Sequence, residues 1–196
     1  MKINFAKIKG FTLIELLVSV GIFAIMTALL LARYGSFDQG VLLTNLAYDV
    51  ALTIRNAQSY GLNVKSYDRN DNKFEAAYGV NFVATTSNFV FFADINTPPN
   101  FTYEPSPGGL DVNISTTLIK RNSKVGTLCI GSGPSNCVAA KSIDIAFNRP
   151  DPNAHINGLS LTNTILTNTY AEIILMANDG TIRKVIVRST GQISVE

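Results

Sequence analysis

The chain has 196 residues, room for one ordinary domain and an appendage but not comfortably for two domains. Hydrophobic residues make up 46% and charged residues 15%, which excludes both a disordered chain and a multi-span membrane protein. Two Cys, one His and no Trp nearly exclude a metal site built on Cys and His, and no cofactor is expected.

The formal charge of +2 comes from 16 basic and 14 acidic residues. Lys2, Lys7 and Lys9 lie in the first ten positions, where there is no acid; without that segment 13 basic residues face 14 acidic ones. The basicity therefore belongs to a targeting segment and is poor evidence for a nucleic-acid partner. Residues 11–32 form an apolar run closed by Arg33. A helix needs about 20 such residues to span a bilayer. The preceding Lys residues place its start in the cytoplasm and the rest of the chain outside.

Three readings compete for this segment. A cleaved secretory signal expects an apolar core of about 7–15 residues and a small-x-small site after it, but here the run is longer and ends LLLARYGS. An uncleaved anchor explains the length but not Glu15, the one charge within the run. A carboxylate in a membrane helix costs a few kcal/mol at the centre and marks a functional candidate; near the interface it reaches water instead.

The string KGFTLIELLVSVGIFAIM resembles the class III signal of type IV pilins and type II secretion pseudopilins. The resemblance implies a peptidase that cuts between Gly10 and Phe11 and methylates the new amine of Phe11. Glu15 becomes the fifth mature residue, where the family places its acid, and would pair with the Phe11 amine of a neighbouring subunit to set register. Implied partners are other pilin or pseudopilin subunits, the prepilin peptidase/methyltransferase, an inner-membrane assembly platform, and the membrane before assembly. The resemblance implies a structural subunit and not an enzyme.

Beyond Arg33, Leu43, Leu46, Ala47, Val50, Ala51, Ile54 and Ala57 recur at helical spacing. One helix is expected over 11–60, with its transmembrane half at 11–32; Gly35, Ser36, Asp38 and Gly40 are its weakest stretch. The expected organisation is a removed leader 1–10, the helix, and a β-rich head 61–196. Strands are expected at 78–84, 88–94, 111–120, 124–131, 141–148, 156–162, 169–177, 181–188 and 192–195, rich in Val, Ile, Phe and Thr. Asn178-Asp179-Gly180 signals a hairpin, and the four prolines within 96–109 signal a loop. The predicted fold class is α+β and pilin-like, a long N-terminal helix packed on an antiparallel sheet. This half is similar to the H-type minor pseudopilins and FimT-type minor pilins in LAYDVALTIRNAQSYGLNV, IDIAFNRPDPNA and the final hairpin. That similarity implies a minor subunit.

Cys129 and Cys137 enclose seven residues, IGSGPSN. Outside the cytoplasm a disulfide is the natural reading, worth about 2.6 kcal/mol in the chain-entropy model; two free thiols are the alternative. His155 is expected in a solvated loop. Two basic groups, Lys120, Arg121 and Lys124, and Arg183, Lys184 and Arg188, read as solvated faces or as a DNA-binding patch. In DNA-binding FimT-type members the last hairpin glycine precedes a basic residue, whereas here Gln192 follows Gly191; nucleic acid is not an expected partner.

Overall fold

The computed structural model describes residues 10–63 and 76–196, apart from the side chains of residues 32–38. Lys2, Lys7 and Lys9 lie outside the described residues. The chain divides into two compact units, Met1–Asp38 and Gln39–Glu196. The division falls inside the Gly35–Gly40 stretch of helix α1, Leu13–Leu62.

In the first unit α1 is apolar all round. No residue from Gly10 to Leu31 is buried, and Leu13–Leu31 is long and apolar enough to cross a membrane. Its hydroxyls are satisfied internally. Ser19 Oγ donates to the Glu15 carbonyl at 2.7 Å and Thr27 Oγ1 to the Phe23 carbonyl at 2.8 Å, as a hydroxyl without water requires.

In the second unit α1 buries one stripe. Leu43, Ala47, Val50, Ala51, Ile54 and Ala57 are buried, while Tyr48 and Leu52 face outward. Burying each large aliphatic side chain is worth roughly 1.5–3 kcal/mol, whereas a helical Gly costs about 1 kcal/mol. Packing therefore outweighs the cost of Gly40. The stripe turns small towards its end, so the helix comes close to the sheet. A Cβ on Gly61 would lie 2.8 Å from the carbonyl carbon of Phe147, so only Gly fits there.

Ten strands follow: β1 Ala77–Val83, β2 Asn88–Asp94, β3 Val112–Leu118, β4 Lys124–Gly131, β5 Cys137–Phe147, β6 His155–Ser160, β7 Ile165–Asn168, β8 Tyr170–Met176, β9 Ile182–Arg188 and β10 Ile193–Val195. They form one antiparallel sheet in the order β10-β9-β8-β4-β5-β1-β2-β3, with β6 on β5 and β7 on β6. The long β5 is the branch point. Its first residues pair with β4 and its later ones with β1, while β6 takes the other edge. The α1 stripe and the inward residues of β1, β2, β4, β5, β8 and β9 make one core. Tyr60 stacks edge-on against Tyr78 at 5.6 Å and lies 5.4 Å from Phe91.

The architecture is α+β and pilin-like, as expected from the sequence. Two details differ. β7 falls between the expected strands 156–162 and 169–177 and is not among them, because its ILTN segment is short and only partly buried. β5 starts at Cys137 and not at 141, since pairing with β4 extends the strand over Cys137–Ala140, where only Val138 favours a strand.

Candidate processing and assembly site

Gly10 is exposed, and nothing lies within 4 Å of where its Cβ would stand. The described chain itself has no steric need for glycine there. Phe11 is 78% exposed. Thr12 and Glu15 then form a capping box. Thr12 N–H and Oγ1–H donate to Glu15 Oε2 at 3.0 and 2.8 Å, and Glu15 N–H donates back to Thr12 Oγ1 at 3.3 Å. This satisfies orphan donors at the helix start. Among the described residues, nothing donates to Glu15 Oε1. Glu15 therefore closes its own helix with one oxygen and presents the other. The signal for this was in the sequence, Thr-x-x-Glu before an apolar run, and attention to the charge alone passed over it.

Residues 5–31 match the family model for the prokaryotic N-terminal methylation motif. The chain is type IV pilin-like at its N-terminus. The motif takes in Gly10, Phe11 and Glu15 together with nearly all of the exposed apolar helix, and it points to a structural subunit that assembles with other pilin subunits after prepilin peptidase processing. Neither a curated protein nor a solved structure matches the chain.

The basic residues do not converge. Arg183 Nε donates to Thr44 Oγ1 of α1 at 3.0 Å. Lys184 Nζ is 2.8 Å from Glu172 Oε1, and this hydrogen bond with its attendant charge raises the Lys184 pKa. The Arg188 guanidinium lies 5.6 Å from the centroid of the Tyr170 ring. Tyr170 in turn donates to Glu172 Oε2 at 2.9 Å, and burial first, then Glu172, pushes its pKa up to about 12. Lys120, Arg121 and Lys124 are exposed at the turn between β3 and β4, on the other flank of α1 from Arg183. Positive φ angles at Arg121 and Asn122 make that turn.

Cys129 and Cys137 are joined as a disulfide, with Cα atoms 5.5 Å apart, across the β4–β5 hairpin. His155 is not a solvated loop residue. It opens β6 and stacks on Phe101 with centroids 3.7 Å apart, and burial lowers its pKa. The loop before it ends at Ala154.

Sequence reasoning also passed over a polar row on the sheet face opposite α1. Asn81, Asp144, Asn157 and Thr167 are register partners across β1, β5, β6 and β7. Asn81 Nδ2 donates to Asp144 Oδ1 at 2.7 Å, and Thr167 Oγ1 donates to Asn157 Oδ1 at 2.9 Å. Asn157 Nδ2 reaches the Phe101 carbonyl at 3.2 Å. The row thus holds the proline-rich loop 95–111 on the sheet. Asp94 and Asp111 hold its two ends, Asp94 Oδ2 accepting from Phe101 N–H and Asp111 Oδ2 from Glu104 N–H, each at 2.7 Å. Burial pushes the Asp144 carboxyl up to about 7 and that of Asp111 up to about 6. The available signal was a polar residue at the centre of each apolar strand, YGVNFV, SIDIAF and HINGL. Among the described residues no group of three or more His, Cys, Asp or Glu side chains could hold a metal ion.

Proposed function

We propose that this chain is a prepilin-type filament subunit, a minor pilin or pseudopilin of a type IV pilus or a type II secretion pseudopilus. The observation that carries the reading is the methylation motif running directly into a fully exposed apolar helix. Exposed apolar surface on this scale needs a lipid or protein partner. Cleavage between Gly10 and Phe11 keeps the span on the mature chain and removes Lys2, Lys7 and Lys9, the charges that hold it to the cytoplasmic face. The inner membrane then holds the subunit with its head outside the cytoplasm until the helix is drawn into a filament. There Glu15 Oε1 is the acceptor for the methylated Phe11 amine of a neighbour. The β-rich head, similar in its helix and final hairpin to the H-type and FimT-type subunits, supports a minor role. Nucleic-acid capture is the weaker reading, because Lys184 and Arg188 already have partners within the chain.

The test is intact mass after co-production with a prepilin peptidase. The expected product lacks residues 1–10 and gains one methyl on Phe11. Gly10→Val, whose side chain enters open space, is expected to fold normally and remain uncut. An unprocessed chain beside a processed control prepilin would overturn the reading.

A further inference from the structure

Among the described residues the sheet ends at β3. β3 pairs with β2 on one side only, and among the described residues no strand lies along its outer edge. The other terminal strands, β7 and β10, have four and three residues, whereas β3 has seven. Outer edges of this length are normally blunted by Lys, Pro or an inward charge. Residues 112–119, VNISTTLI, contain none of these. The blunting features are an isolated bridge from Pro105 to Asp111, just before the strand, and a bulge at Ile114, which falls between the partners of Phe91 and Phe92. Asn113 to Leu118 are all exposed, with Ile114 at 38% and Leu118 at 68%.

We infer that β3 is a pairing edge for a second copy of this chain, strand to strand and antiparallel about Thr116. Two observations select this occupant. First, the register that puts Thr116 opposite itself sets Ile114 of each copy opposite the partner's Leu118, so both exposed apolar side chains are covered twice by one two-fold axis. Second, the strand's ends carry opposite charge. Lys120 follows it, while Glu104 stands at its start, its backbone N–H held by Asp111. Antiparallel pairing brings each basic end against the partner's acidic end. Sliding the register by two residues would set Ile114 against Thr116 or Lys120 instead. The contact does not depend on the filament reading, since a two-fold contact closes on itself and does not propagate.

The test uses the full chain in detergent with Thr116→Cys, which adds the only free thiol beside the disulfide. Mild oxidation is expected to give a disulfide-linked dimer on a non-reducing gel. Leu161→Cys, exposed in the turn after β6, is the control and is expected to stay monomeric. Adding Ile114→Lys, which sets a charge against Leu118 on both sides of the axis, is expected to cut the dimer yield about five- to tenfold while leaving the melting temperature unchanged. Equal cross-linking at positions 116 and 161 would overturn the inference. So would a product of any other mass in a membrane extract, which would assign the edge to a different chain.

Discussion

At the scale of single residues, Glu15 caps its helix through Thr12, and the proposed pairing with a neighbour's amine would give its charge a second duty that substitutions separate from the first. Glu15→Gln keeps the capping box, since Gln serves at that position, but removes the charge. Thr12→Ala does the reverse. If charge pairing sets register, Glu15→Gln is expected to be processed normally and to fail in filament assembly, while Thr12→Ala assembles. Electron microscopy of sheared filaments separates the two; normal assembly of Glu15→Gln would reduce Glu15 to a cap.

Asp144 makes a residue-scale prediction for stability. Its folded-state pKa of about 7 stands above the ordinary 3.8, because burial penalises the charged form. Between those values the folded state holds a proton that the unfolded state has lost. Stability therefore falls as pH rises from about 4 to about 7 and is level above that. Asp111 adds to the slope up to about pH 6. His155 opposes it, since its lowered pKa makes the folded state release its proton first as pH rises. Asp144→Asn keeps a partner for Asn81 and is expected to raise the melting temperature at pH 8 more than at pH 5. An equal shift at both values would contradict a buried, protonating Asp144.

At the scale of elements, the β4–β5 hairpin relies on a covalent link where its pairing is weakest. β5 begins with CVAA, which buries no large apolar side chain, and the link joins its first residue to Cys129. Closing a loop of this separation is worth about 2.6 kcal/mol in the chain-entropy model. Protein isolated from an oxidising compartment is expected to take up no alkylating label without reductant. Replacing both cysteines by Ser is expected to lower stability by about 2–3 kcal/mol with the fold retained. Helix α1 shows a different logic. Its two halves share hydrogen-bond geometry but not solvent. One half exposes its apolar surface, and the other spends a narrower stripe on the sheet. The pattern reads directly from the sequence, because a helix buried on one face needs apolar residues at helical spacing and a membrane helix needs them all round.

At the scale of the whole molecule, the unit boundary at Asp38–Gln39 assigns the outer half of α1 to the head. Every residue of the shared core lies in Gln39–Glu196. The chain truncated to residues 39–196 is therefore expected to be soluble without detergent and to unfold in one cooperative thermal transition. Truncation at residue 61 removes Leu43, Val50 and Ile54 from that core and is expected to leave the sheet unable to fold. A cooperative melt of 61–196 would show that the helix is not part of the head's core.

The sequence by itself determined whatever rests on local pattern: the processing motif, the apolar span, the buried stripe of α1, most strands and the disulfide. Each depends on neighbours within about a dozen residues, so spacing is enough. Tertiary structure decided the rest. Asn81, Asp144 and Asn157 lie far apart in the chain and become one row only through the registers of β1, β5 and β6. His155 leaves solvent only because Phe101 arrives from another loop. The basic residues are separated because Arg183 turns to α1 and Lys184 to Glu172. At the N-terminus the motif read from Gly10, Phe11 and Glu15 stands, and the structure adds that Glu15 holds its own helix with one oxygen. Burial and pairing depend on which distant segments meet, and a linear pattern carries that information only where one face of an element is already committed.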